Sequence, residues 1–204
     1  MDRKVQRFDI ARTSEKSELF EFLINWMRSL SPSDVSFAIN DLCKRYAVDL
    51  AALSRVAVMD WQDLAKLAAD PLVTIGSATV NYPVLANLKD AAALREMTMG
   101  AAVGQAAFHR DVRHFAYPFG DRASFRRQHV GMAEASGFAS AVSAISGVVE
   151  TAGRTGLHAL PRVSWDGRRR SLRAMRVIVS GVTLPRRRRD IAEADVRRPA
   201  APSS

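Results

Sequence analysis

Apolar positions at helical spacing open the chain. Leu19, Phe20, Leu23, Met27 and Leu30 recur every three or four residues across 17–30, which predicts an amphipathic helix. Ser31-Pro32-Ser33-Asp34 then sets a capping residue before a proline, and a second helix is expected over 35–46. A third, short helix starts at Asp49. Asp60 is placed to cap a fourth, which runs to about Ala69 and is stopped by Asp70-Pro71.

The period changes after that. Leu72-Val73-Thr74-Ile75 is a short run rich in β-branched residues and ended by Gly76, which predicts a buried strand. The longest helix is expected over 87–108. A second strand follows over 112–117, stopped by Pro118, and then a helix over 124–136, ended by Gly137. The small apolar run 138–144 predicts a third strand. Residues 157–163 predict an edge element, because Pro161 cannot donate to a central ladder. A last helix is expected over 171–180, with Leu172, Met175, Ile178 and Val179 turned inward. Strand–helix alternation predicts a parallel α/β fold. Three or four strands fall short of the eight of a closed (β/α) barrel, and 1–70 supplies helices only. The alternatives are a small open sheet or part of a barrel.

Charge divides the chain unevenly. The formal charge of +9 over 204 residues is concentrated from Asp166 onward, where eleven arginines meet four acids. The body is therefore nearly neutral, and 185–204 reads as a basic, solvated tail. Arg168 to Arg170 and Arg186 to Arg189 could meet phosphates, yet no groove helix or aromatic platform accompanies them, so no specific nucleic-acid binding is expected. Non-specific binding to an anionic polymer is the reading these arginines leave open. The single cysteine, Cys43, excludes an intrachain disulfide and is expected as a small core residue. No apolar h-region follows the charged N-terminus and no uncharged apolar run reaches membrane-spanning length. The expectation is a cytoplasmic protein without a transmembrane segment.

Candidate chemistry is sparse. His109, His114, His129 and His158 include no i,i+4 pair, so each is expected at a surface or boundary, and no resident metal is expected. The loop Phe115-Ala116-Tyr117-Pro118-Phe119-Gly120-Asp121 is the best candidate. Its Pro and Gly set a backbone direction, which can aim an N–H at an oxyanion, and its aromatics suit the apolar face of a sugar.

Three segments in order carry a resemblance. P-L-V-T-I-G-S-A-T-V-N-Y-P-V-L, then V-R-H-F-A-Y-P-F-G-D, then G-L-H-A-L-P-R-V-S-W-D-G resemble the polysaccharide deacetylase family, including its nodulation-type chitooligosaccharide deacetylases. The resemblance spans about 19–182. It implies a partial, irregular (β/α) barrel preceded by several helices, with a tail over 1–16, a deacetylase-like domain over 17–184 (helical to 70, α/β beyond) and the basic tail after it. It implies an ancestral activity of metal-dependent N-deacetylation on N-acetylglucosamine-containing sugars, with zinc as the metal in active relatives.

Carried over residue by residue, the resemblance also implies losses. The family's two metal-binding histidines fall on Ala78 and Tyr82. Its Thr-Phe-Asp-Asp-Gly motif, which supplies the base and a metal ligand, has no counterpart, and the chain contains no Asp-Asp pair. The arginine that orients the base falls on Ala116, with Arg113 nearby. What survives is Tyr117-Pro118-Phe119-Gly120, where the Phe119 N–H can hold an oxyanion. His158 is the candidate for the family's late general-acid histidine. The expected site is therefore Phe119 and His158 for catalysis, with Tyr82, Tyr117 and Phe119 for substrate, and no metal. The reading is a truncated, degenerate deacetylase homologue, inactive as written, that takes amino-sugar oligosaccharides. Its rivals are an active deacetylase completed by unplaced ligands or a partner chain, and a non-catalytic anionic-polymer binder.

Overall fold

The computed structural model describes residues 7–149, 156–165, 171–182 and 184. The arginine runs 168–170 and 186–189 lie outside the described residues, as does most of the expected tails. Two compact units divide the chain, Met1–Asp63 and Leu64–Ser204.

The first unit holds three helices, α1 (Thr13–Arg28), α2 (Pro32–Arg45) and α3 (Leu50–Ala57). Their ends follow from local chemistry. The Ser31 hydroxyl accepts the Asp34 N–H and Pro32 sits in the first turn, where its missing N–H costs nothing. The Asp49 carboxylate accepts the Ala52 N–H in the same way. Periodicity placed the helices correctly but overstated their burial, since none of the three buries a residue. Phe20 is exposed, whereas Leu19, Leu23, Met27 and Leu30 are half-buried. Cys43 is likewise half-buried and is no core residue.

Helix α4 (Trp61–Ala69) spans the division, its Asp63 N–H bound by Asp60 Oδ1. The second unit continues with α5 (Asp90–Phe108), β1 (His114–Ala116), α6 (Arg127–Ala135), β2 (Ser140–Val142) and α7 (Leu172–Val179). Strands β1 and β2 pair in parallel, Phe115 opposite Ala141. Two single-residue bridges extend the sheet, Ser77 beside Phe115 and Leu160 beside Val142, both parallel. The result is a mixed, helix-rich α/β fold with a small parallel sheet.

The strand expected at 72–75 is displaced. Leu72 is exposed, and pairing begins at Ser77, whose N–H donates to His114 O and whose O accepts the Ala116 N–H. Gly76 therefore leads into the pairing and does not end it. A Cβ there would stand 2.9 Å from His114 O, so only glycine lets the two backbones meet. The edge element at 157–163 is a 3₁₀ turn, Leu157–Ala159, leading into the Leu160 bridge, with Pro161 just past it. In α7 only Ile178 is buried; Leu172 and Val179 face out.

The core lies between the sheet and α5 and α6. Phe115 in β1 and Tyr117 just past its end, two residues apart, share one face with Leu85, Ala93, Met97, Phe125, Ala133, Phe138 and Ala141. Phe115 meets Tyr117 edge-on at 5.2 Å and Phe138 at 5.1 Å, while Tyr117 stacks on Phe125 at 4.1 Å. The small residues Ala93 and Ala133 let the helices approach this aromatic layer. Among the described residues no helix is long and apolar enough to cross a membrane.

Candidate functional site

Because the paired segments run parallel, their C-terminal ends share one side of the sheet, and two loops meet there. The first is 77–83. It contains two non-glycine residues in the left-handed region, Thr79 (φ 68°) and Tyr82 (φ 51°), a conformation that needs outside support. Helix α5 supplies it. Glu96 Oε2 accepts the Val80 and Asn81 N–H groups at 3.1 and 2.9 Å, and Oε1 accepts Asn81 Nδ2 at 2.6 Å. One helical turn later, Gly100 leaves room for the loop backbone, since a Cβ there would be 2.7 Å from Thr79 C. The Tyr82 N–H donates to Thr79 Oγ1, which closes the turn.

The second loop is 117–121. The Gly120 N–H donates back to Pro118 O, placing Phe119 at the apex of a three-residue turn with φ 58°. Gly120 (φ 66°) passes so close to the end of β2 that its carbonyl accepts the Ala144 N–H at 2.9 Å.

The two loops join through one contact. The Phe119 N–H donates to the Tyr82 hydroxyl at 3.2 Å, and the two rings lie 5.2 Å apart at a tilt of 56°. Tyr82 is 52% exposed and Phe119 half-buried, so the pair offers an aromatic surface to solvent beside a polar group.

Other expected site residues lie elsewhere. Tyr117 is buried, stacked on Phe125, and its hydroxyl donates to His158 O at 2.7 Å; burial pushes that hydroxyl's pKa well above its ordinary value. It supports the second loop from within the core. His158 stands two residues before the Leu160 bridge, level with Ser140 and therefore towards the N-terminal end of the sheet. Its Nε2 is 2.7 Å from Phe138 O, a bond in which the ring nitrogen donates. His158, expected among the catalytic residues, therefore has its ring nitrogen engaged with the Phe138 carbonyl. Ala78 is half-buried and brings only a methyl group, and Arg113 lies at the other end of β1.

A divalent metal, which the resemblance implies, needs converging donors. Ala78 has none, the Tyr82 oxygen holds an amide, and both Glu96 oxygens hold loop N–H groups. Among the described residues no three His, Cys, Asp or Glu side chains converge. The residues of this loop do not fit the ion.

His129 departs from the expectation of a surface histidine. It is fully buried in the first turn of α6, where Nδ1 accepts the Arg126 N–H at 2.9 Å. That bond leaves the proton on Nε2, a buried atom with no partner among the described residues. Burial lowers its pKa, the Arg126 charge lowers it further, and Asp90 partly opposes them. A folded-state pKa below the unfolded value means the unfolded chain binds more protons as pH falls. The neutral ring's contribution is complete above about pH 6.5 and is lost towards lower pH. The stability of the unaltered chain in urea unfolding is expected to fall from pH 7 to pH 5, with a slope no steeper than the about 1.4 kcal/mol per pH unit that one proton can supply. His129→Gln is expected to flatten that slope; an unchanged slope assigns it to other groups.

Parallel α/β pairing with loops past the strand ends defines the class of fold, and the sequence comparison defines the family. A profile of the polysaccharide deacetylase family matches residues 12–138, and the chain belongs to that family. No curated protein matches it. Among solved structures it is similar to the Streptococcus pyogenes deacetylase PplD in complex with acetate, at 18% identity and a TM-score of 0.47. That match covers 56% of this chain and 48% of the other, so the chain spans about half the length of that structure. Sequence reasoning misses Glu96 and Gly100, which hold the first loop, and misses the burial of His129. The i,i+4 spacing of Glu96 and Gly100 on the helix after the loop was the only available signal.

Proposed function

We propose that this member of the polysaccharide deacetylase family binds N-acetylated amino-sugar oligosaccharides without hydrolysing them. The observation that carries the reading is the Tyr82 hydroxyl on the Phe119 N–H, at a position the resemblance gives to a metal-binding histidine. Hydrolysing an amide requires an activated water, a base for its proton and a donor for the leaving amine. The two loops offer a hydroxyl, an amide and two aromatic rings, which are groups for binding. The Tyr82–Phe119 surface suits the apolar face of a sugar ring, and the hydroxyl suits an acyl group. The run from the Ser77 bridge through β1 and β2 to the Leu160 bridge supports, as part of the same proposal, an arc of a deacetylase-type barrel.

The test is direct. The chain is incubated with zinc and the β-1,4-linked tetramer of N-acetylglucosamine, and bound zinc, released acetate and tetramer binding are measured. Saturable binding is expected, with zinc far below one per chain and no acetate above the protein-free control. Stoichiometric zinc together with turnover overturns the reading and favours an active deacetylase.

A further inference from the structure

The Tyr82 hydroxyl has made one bond and has another to give. Its oxygen accepts the Phe119 N–H, and the residue's other contacts are its own N–H to Thr79 Oγ1 and its ring against Phe119. The hydroxyl proton has no acceptor among the described residues, on a side chain 52% exposed. Accepting the amide hydrogen polarises the phenol and makes its own O–H a stronger donor. The phenol oxygen also stands 3.2 Å from the Phe119 nitrogen, so an incoming acyl oxygen cannot reach that hydrogen while the contact lasts.

We infer that the Tyr82 O–H, and not the Phe119 N–H, is the donor that meets the carbonyl oxygen of an N-acetyl group at this site. The amide acts through the phenol, in a chain running from Phe119 N–H to Tyr82 Oη–H to the acyl oxygen. This rests on the sugar-binding reading above and names the atom that would read the acetyl group. The position is a built one. Glu96 grips Val80 and Asn81 immediately before Tyr82, Thr79 holds the Tyr82 N–H, and Phe119 limits the ring from one side. Tyrosine is required in a way phenylalanine is not: the ring alone gives a surface for the sugar, while the hydroxyl distinguishes an acetylated sugar from a free amine.

The experiment compares the N-acetylglucosamine tetramer with the glucosamine tetramer, on the unaltered full chain and on Tyr82→Phe, by calorimetry and ¹H–¹⁵N NMR. The unaltered chain is expected to prefer the acetylated tetramer, and Tyr82→Phe to lose about five- to tenfold in affinity for it with little change for the amine form. A second readout needs no variant: the Phe119 amide proton of the unaltered chain is expected to move downfield as the acetylated tetramer is added. Preference retained or strengthened in Tyr82→Phe overturns the relay and leaves sugar binding standing. So does a Phe119 resonance that stays still while the tetramer binds. Equal binding of both tetramers to the unaltered chain overturns the relay as well. Binding of neither overturns the sugar reading, and the relay with it.

Discussion

Phe115→Ala is expected to destabilise the second unit by about 3–5 kcal/mol, a large share of the stability of a domain this size. Phe115 is 1% exposed and lies at the centre of the core. Its ring touches Tyr117 edge-on and packs on Phe138, and its backbone is the point where Ser77 and β2 both pair with β1. Truncation leaves a cavity whose walls cannot all move in, because β1 is fixed between its neighbours on both sides. Tyr117 loses its edge contact, and the second loop rests on Tyr117. The measurement is hydrogen exchange of the Tyr117 and Ser143 amides, which donate to Val142 O and Leu160 O and report on the sheet itself. Faster exchange at both is expected; protection equal to that of the unaltered chain would show that the core closes over the gap. Phe115→Leu keeps most of the volume and is expected to cost under about 1.5 kcal/mol.

Gly120→Ala is expected to cost about 2–4 kcal/mol, through two separable effects. The φ of 66° lies in the left-handed region, where a Cβ meets the carbonyl oxygen that follows. The added Cβ would also stand 2.5 Å from Ala144 N, a backbone atom that has no rotamer to change. The strain falls on the Ala144 N–H to Gly120 O bond and pushes the second loop away from the end of β2. Phe119 is the adjacent residue, so its contact with Tyr82 moves too. Thermal unfolding is expected to drop by about 5–15 °C, with large shifts of the Phe119 and Ala144 amide resonances. A variant that melts with the unaltered chain would mean the loop relaxes freely and does not frame the site. Gly131→Ala provides the control, because nothing lies within 4 Å of its Cβ position.

Both predictions concern residues whose types were legible and whose roles were not. The aromatic, proline and glycine of 115–120 marked the loop as a candidate. That Phe119 would be a turn apex and Tyr117 a buried support depends on which atoms lie across the sheet. His158 shows the same limit. A histidine followed by Leu160-Pro161 was legible as an edge element, but its distance from Phe119 is a matter of register with β2.

Local order was largely determined by the sequence alone. Capping residues such as Ser31 and Asp49 act over three or four residues, and the 3.6-residue period of α1 and α2 is a property of each segment by itself. The family, too, was legible in short motifs, since Gly76 to Pro83 and Tyr117 to Asp121 keep their spacing. Tertiary structure decided the rest. It moved the first pairing from 72–75 to Ser77, buried His129 with a nitrogen that has no partner among the described residues, and left the first three helices without a fully buried residue. It also placed the Tyr82 hydroxyl against an amide 37 residues away. The physical reason is one of range. Caps and periodicity are satisfied within a turn or two of chain, whereas burial, register and a contact between two loops depend on atoms that only the folded backbone brings together.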